Sequence, residues 1–171
     1  MAPLGDGLAE SSAERGNDIV VVGAGLVGSI LAVILRKEGF KVTVYERYAN
    51  TEEIPALSRS INLVMTRRGL KAAELLGLKE DLVNLAVQVN GRVMHMADGS
   101  ETWQKYGRES DCNYSVSRYQ LNLFLIRKAR EAGCELHFDH ALQKCEFRED
   151  GTTVLHFKVH GEDKTVELLR T

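Results

Sequence analysis

The chain has 171 residues, and its 22 Lys and Arg against 24 Asp and Glu give a formal net charge of −2. A composition of 44% hydrophobic and 27% charged residues is that of an ordinary globular protein, and the length suits one domain. The near-neutral balance offers no electrostatic attraction for nucleic acid or an anionic membrane surface, and no apolar run approaches the roughly 18 residues of a membrane span. We therefore expect a soluble, intracellular protein with a flexible N-terminal tail at residues 1–16.

The first part of the chain predicts a parallel βαβ unit. The β-branched run Asp18-Ile-Val-Val-Val22 is typical of a buried strand, residues 26–38 are rich in helix formers, and 41–46 again alternate as a strand. A connection of this kind is right-handed. Residues 47–60 are polar and contain Pro55, which indicates a loop.

The remainder alternates between helices and short strands. Apolar residues at helical spacing predict helices at 66–76 and 118–132, ending before Gly77 and Gly133. Residues 86–117 break into short strands and turns. Further strands are predicted at 135–138, 143–148, 153–159 and 164–168, with turns at Asp150-Gly151 and Gly161-Glu162.

A glycine-rich loop joins the first strand to the first helix. Gly23-Ala-Gly-Leu-Val-Gly28 fits the pattern G-x-G-x-x-G, and Glu46 ends the next strand 18 residues beyond Gly28. In this arrangement Gly23 allows a tight turn, Gly25 lets a pyrophosphate approach, and Gly28 permits close packing of helix on strand. Glu46 would accept hydrogen bonds from an adenosine ribose and repel a 2′-phosphate, which favours FAD or NAD over NADP. The alternative is a junction whose glycines serve packing alone.

Other polar residues carry less information by themselves. Cys112, Cys134 and Cys145 are widely spaced and are interpreted as small packed side chains. The histidines include pairs at i, i+3 and i, i+4, such as His137 and His140, but they fall on predicted strands and a turn, where such offsets do not share a face, so we expect no metal site. Arginines in Arg59-Ser-Ile-Asn-Leu63 and Tyr114-Ser-Val-Ser-Arg118 are, taken alone, surface charges.

Several segments between residues 17 and 168 together match one family of enzymes. They are Val22–Ser29, Val44–Glu46, Arg59–Leu63 with Arg68-Gly69, Gly91–His95, Tyr106-Gly107, Ser115–Asn122 and His137–His140. In these segments the sequence resembles the flavoprotein aromatic hydroxylases, and within them the monooxygenases that act on L-kynurenine. Arg-Ser-Ile-Asn and Ser-Val-Ser-Arg at this separation are narrower signals than the glycine-rich loop. The resemblance implies an α/β, Rossmann-type FAD-binding fold.

The resemblance also implies cofactors and site residues. FAD would be the cofactor and NADPH and O₂ the co-substrates in the hydroxylation of L-kynurenine to 3-hydroxykynurenine, a step of tryptophan degradation and NAD biosynthesis. Arg92 and Tyr106 would hold the substrate carboxylate, and no residue is implied as a catalytic acid or base. The expected cofactor-binding residues are Gly23, Gly25, Val27, Gly28, Glu46, Arg47, Arg59, Val64, Arg118 and Leu142.

The sequence also departs from the family pattern. Lys105 precedes Tyr106 where the family commonly has Pro, with Trp103 nearby. The family's later Asp-Gly and Gly-Asp motifs, its substrate-covering sheet and the C-terminal segment that anchors the animal enzymes to the mitochondrial outer membrane are not found. We therefore expect residues 17–171 to be the N-terminal part of an FAD-binding monooxygenase domain, incomplete at its C-terminal side and inactive alone. The alternatives are a different FAD-dependent aromatic hydroxylase, or a truncated, non-catalytic chain that binds an adenine dinucleotide.

Overall fold

The structure is a computed structural model, and it describes residues 18–50, 61–108 and 111–168. The tail predicted at residues 1–16 lies outside the described residues. Arg59 and Pro55 also lie outside them.

Eleven strands and four helices are described. The strands are β1 (Asp18–Val22), β2 (Lys41–Tyr45), β3 (Asn62–Met65), β4 (Val87–Val89), β5 (Gly91–His95), β6 (Glu101–Lys105), β7 (Asn113–Ser117), β8 (Glu135–His137), β9 (Ala141–Phe147), β10 (Thr153–Val159) and β11 (Glu162–Leu168). The helices are α1 (Leu26–Lys37), α2 (Arg67–Leu75), α3 (Lys79–Leu85) and α4 (Arg118–Glu131).

The predicted βαβ unit forms the centre of the fold. Strands β1 and β8 both pair with β2 in parallel, in the order β1-β2-β8. Val21, Val42 and Val44 are buried on the helix-covered face of this sheet, in a core that also includes residues of α1 and α4. The apolar run of β1 and the helical period of α1 are therefore explained by burial of one face against the other.

The opposite face of the parallel sheet is covered by a second layer. Strands β9, β10 and β11 form an antiparallel sheet in the order β11-β10-β9. Its buried residues Leu155, Phe157 and Val159 pack with Tyr45 of β2, and Val20 of β1 joins them. The parallel sheet thus lies between helices on one side and strands on the other, which confirms the predicted α/β fold.

Two basic side chains at the end of α1 bind the ends of other helices. Arg36 Nε donates to the carbonyl of Ala132, just after α4, at 3.2 Å, and its Nη1 donates to Phe40 at 2.7 Å. Lys37 Nζ donates to the carbonyl of Leu76, just after α2. The carbonyls of Ala132 and Leu76 have no acceptor role inside their helices, and the two cations supply the missing donors. Their positive charges also interact favourably with the negative, C-terminal ends of the helix dipoles.

The structure differs from the sequence predictions in several elements. Strand β3 and helix α3 were not predicted, β9 begins at Ala141, and β11 begins at Glu162. The last hairpin turns at His160-Gly161 rather than at Gly161-Glu162, because both His160 (φ +50°) and Gly161 (φ +84°) adopt the left-handed conformation of a two-residue turn.

Candidate flavin and substrate sites

The glycine-rich loop has the geometry that its spacing predicts. Gly23 has φ +104°, a conformation that other residues rarely adopt, and its N–H donates to the Tyr45 carbonyl at 2.7 Å. A Cβ built on Gly28 would lie 1.9 Å from the carbonyl oxygen of Gly23, whereas one on Gly25 would meet nothing within 4 Å. Gly28 therefore permits the close approach of α1 to β1, and Gly25 leaves open space outside the loop.

The start of α1 has the properties of an anion-binding site. Gly25 is the residue before the helix, no described side chain caps this end, and the first turn contains no acidic residue. The first hydrogen bond into the helix runs from Ser29 N–H to Gly25 at 2.9 Å, so the preceding N–H groups have no helical acceptor. Free N–H groups beside open space fit the diphosphate of a dinucleotide.

Glu46 lies against this loop. It is 7% exposed, and its Oε2 accepts the Ala24 N–H at 2.7 Å while its Oε1 accepts the Tyr48 N–H at 3.2 Å. Each carboxylate oxygen has a second lone pair, so both can still accept a ribose hydroxyl. The carboxylate therefore fits the adenosine half of FAD, and its two backbone donors were not anticipated from the sequence.

Three apolar residues expected to line the flavin site are exposed. Val27 is 81% exposed in the first turn of α1, Val64 is 57% exposed in β3, and Leu142 is 37% exposed in β9. Arg118, the first residue of α4, is also exposed. Arg47 is exposed, and its guanidinium lies 5.0 Å from the ring centroid of Tyr48. These positions are open to a ligand, and whether they contact FAD stays a prediction, as does the role of Arg59.

The expected substrate pair lies on the β5–β6 hairpin. Arg92 is opposite Gln104 in this hairpin. Tyr106 directly follows β6, and its N–H donates to the Asn90 carbonyl at 3.0 Å, next to the start of β5. Arg92 is exposed and Tyr106 half-buried. Gln104 Oε1 accepts from Arg92 Nε at 2.9 Å, and the two Nη groups have no partner among the described residues. Gln104 was missed from the sequence because its contact depends on strand register.

The hairpin also explains Gly91 and the neighbouring tryptophan. A Cβ at Gly91 would lie 2.6 Å from Trp103 Cζ2 and 2.5 Å from the carbonyl of Gln104. The indole therefore lies against the glycine backbone, and a side chain at position 91 would displace it.

His137 and His140 share a face, contrary to the expectation from their spacing. Their ring centroids are 5.6 Å apart, and both rings pack on Tyr45, at 5.0 and 5.1 Å. The chain turns between them because Asp139 has φ +58°, which ends the strand alternation on which the prediction depended. Burial, and secondarily the carboxylate of Glu135, raises the pKa of Tyr45.

Two further observations concern metals and membranes. Within residues 18–50, 61–108 and 111–168, no group of three His, Cys, Asp or Glu side chains could hold a metal ion. In the same ranges no helix is both long and apolar enough to cross a bilayer. All three cysteines are free; Cys134 is buried, where burial raises the pKa of its thiol.

Comparisons with known proteins agree with this geometry. Residues 17–168 match the FAD binding domain family. The chain is 39% identical, over 80% of its length, to a kynurenine 3-monooxygenase of Christiangramia forsetii, and 38% identical, over 92%, to that of Flavobacterium psychrophilum. It covers 30% and 37% of these relatives, about a third of their length.

A solved structure supports the fold. The p-nitrophenol 4-monooxygenase PnpA of Pseudomonas putida DLL-E4 superposes with a TM-score of 0.73 at 17% identity, over 86% of this chain and 38% of that one. At such low identity the superposition concerns the fold alone. On the family match and the identities to its relatives, the chain belongs to the FAD binding domain family, and within it is similar to the kynurenine 3-monooxygenases.

Proposed function

We propose that this chain carries the flavin-binding region, and part of the substrate site, of an FAD-dependent, NADPH-using monooxygenase that hydroxylates L-kynurenine to 3-hydroxykynurenine. The similarity to kynurenine 3-monooxygenases over most of the chain carries the proposal. The open loop at Gly25 and the buried carboxylate of Glu46 support the cofactor part of it.

The cofactor would be held from two directions. The N–H groups at the start of α1 would bind the diphosphate, and Glu46 would accept the ribose hydroxyls. When bound, FAD supplies the redox chemistry that uses NADPH and O₂, which protein side chains alone do not provide. Val27, Val64 and Leu142 offer apolar surface that a bound dinucleotide would cover.

The substrate would be positioned by the β5–β6 hairpin. The Nη groups of Arg92, which have no partner among the described residues, suit the paired oxygens of a carboxylate, and the phenol of Tyr106, just after β6, would add a donor. Gln104 fixes the guanidinium through its Nε and so reduces the entropy lost on binding. Arg92 and Tyr106 thus bind and orient the amino-acid end of L-kynurenine, and neither is required to transfer a proton.

Turnover by the intact protein, with FAD, NADPH and L-kynurenine, tests the proposal. We expect 3-hydroxykynurenine to form, and Arg92→Ala to raise the apparent KM for L-kynurenine roughly 30-fold or more, because removing the partner of a carboxylate that binding would desolvate costs about 2–5 kcal/mol and each 1.4 kcal/mol is tenfold. Flavin content should not change. Arg127→Ala, which removes an exposed arginine paired with Glu131 on α4, is the control. A KM equal to that of the parent would show that Arg92 does not bind substrate, and no product from the parent would refute the activity.

A further inference from the structure

The segment after β8 holds the backbone around Glu46. The Glu46 N–H donates to the His137 carbonyl, and the Glu46 carbonyl accepts the His140 N–H, both at 2.8 Å. The Asp139 N–H donates to the Tyr48 carbonyl, also at 2.8 Å. The N–H and the carbonyl of Glu46 and the carbonyl of Tyr48 are therefore fixed by three backbone hydrogen bonds with residues 137, 139 and 140.

Asp139 adopts a conformation that needs support. Its φ of +58° lies in the left-handed region, which Asp tolerates better than most residues but still disfavours. Its carboxylate accepts the backbone N–H of His160 at 2.9 Å, and the same oxygen lies 2.5 Å from His160 Nδ1. His160 is itself left-handed, in the β10–β11 turn. The carboxylate thus connects that turn to the segment beside Glu46.

We propose that Asp139 is a positioning residue for the adenosine half of the flavin site. By holding the segment 137–140 in its turned conformation, it directs the N–H groups of Asp139 and His140 toward Tyr48 and Glu46. Glu46 then presents its carboxylate to the loop and to a ribose in one fixed place. The inference rests on the proposed binding of FAD. Asp139 would act indirectly, because its hydrogen bonds go to Tyr48 and His160 and not to the glycine-rich loop.

A competing explanation is that aromatic packing alone holds this segment. Tyr45 lies 4.6 Å from Phe157 and about 5 Å from His137 and His140, measured between ring centroids. If that packing sufficed, removal of the Asp139 carboxylate would leave nucleotide binding unchanged. The two explanations therefore differ in the behaviour of an Asp139 variant.

The experiment measures the Kd of the intact protein for FAD, by flavin fluorescence, and for ADP, by competition with FAD. We expect Asp139→Ala to raise both Kd values by the same factor, about tenfold, which is the scale of one lost charge-assisted hydrogen bond. Asp139→Asn should stay within about twofold of the parent, because its amide oxygen still accepts the His160 N–H and Asn tolerates the left-handed region. Asp163→Ala, an exposed acid on β11, is the matched control and should bind as the parent does.

Two more variants keep the inference testable. Asp139→Gly adopts the turn without strain but lacks the carboxylate, so weakened binding would assign the effect to the carboxylate rather than to the backbone. If Asp139→Ala does not fold, His160→Gly preserves the left-handed turn and removes the imidazole, and about threefold weaker FAD binding is expected. FAD and ADP affinities equal to those of the parent in these variants would overturn the role of Asp139 alone. A parent protein that binds no FAD would instead refute the proposed function.

Discussion

Glu46 links the glycine-rich loop to the end of β2 through a single side chain. Its Oε2 accepts a hydrogen bond from the loop through Ala24, and each carboxylate oxygen keeps a lone pair that could accept a further donor. A side-chain carboxyl this deeply buried is tolerated in the folded protein because the N–H groups of Ala24 and Tyr48 donate hydrogen bonds to it. The same carboxylate therefore shapes the loop and is available to a ligand.

We predict that Glu46→Gln in the intact protein weakens FAD binding by about 1–3 kcal/mol, the range for hydrogen bonds to a charged group. The amide keeps the volume of the side chain but replaces one acceptor oxygen with an NH2 group, which would face the N–H of Ala24 or of Tyr48 and would leave only one neutral oxygen for the other donor and the ribose. Flavin retained after dialysis, together with a fluorescence titration, measures the effect. Equal retention by variant and parent would count against the assignment of Glu46 to the ribose.

Helix α1 depends on the absence of a side chain at one position. Gly28 lies in its first turn, and any Cβ there would collide with the backbone oxygen of Gly23, an atom that cannot rotate away. Gly69, in α2, has the same residue type in a helix but nothing within 4 Å of a built Cβ. Substitution of Gly28 therefore tests close packing, whereas substitution of Gly69 tests helix propensity alone.

We expect Gly28→Ala to lower the free energy of unfolding by about 1–3 kcal/mol, the usual cost of overpacking, and to weaken FAD binding because α1 must shift away from β1. Gly69→Ala should raise the free energy of unfolding by about 0.5–1 kcal/mol, since alanine loses less entropy in a helix. Urea unfolding of both variants measures the difference. A Gly28→Ala protein as stable as the parent would show that α1 does not need this close approach.

Across the whole molecule, Tyr45 joins the two layers. It ends β2 in the parallel sheet, and its ring packs on Phe157 of β10, within the core between the sheets. Burial in this core raises the pKa of its phenol above the ordinary 10.0, with a further contribution from the Glu135 carboxylate. The folded state therefore favours the neutral phenol more than the unfolded chain does.

This raised pKa predicts a stability loss at alkaline pH. Since the folded pKa exceeds the unfolded one, the contribution of the neutral phenol is fully present below about pH 10 and is lost as the pH rises through the folded pKa. Tyr45→Phe keeps the ring packing and has no phenol to ionise, so its free energy of unfolding should fall less than that of the parent above about pH 10. Urea unfolding at a series of pH values measures both curves. Parallel curves through this range would contradict the prediction.

The fold predictions that depended on local patterns are the accurate ones. Strand β1, helix α1 and strand β2 lie within one residue of their predicted ends, because β-branched runs, helix formers and glycine stops act over a few residues. Strand β3 and helix α3 are short, with four and seven residues, and offer too few periods for such patterns to be recognised.

The turn at Gly23, the close approach at Gly28 and the position of Glu46 directly after β2 followed from the amino-acid sequence by itself, since strand, glycines, helix and strand in this order define a βαβ unit. Tertiary structure decided the rest of the site. The contact of Arg92 with Gln104 depends on cross-strand register, and the meeting of His137 with His140 depends on the left-handed turn at Asp139. Asp139 in turn is held by His160, 21 residues away along the chain. Such contacts join residues whose distance is set by packing of separate layers, and no local period encodes that distance.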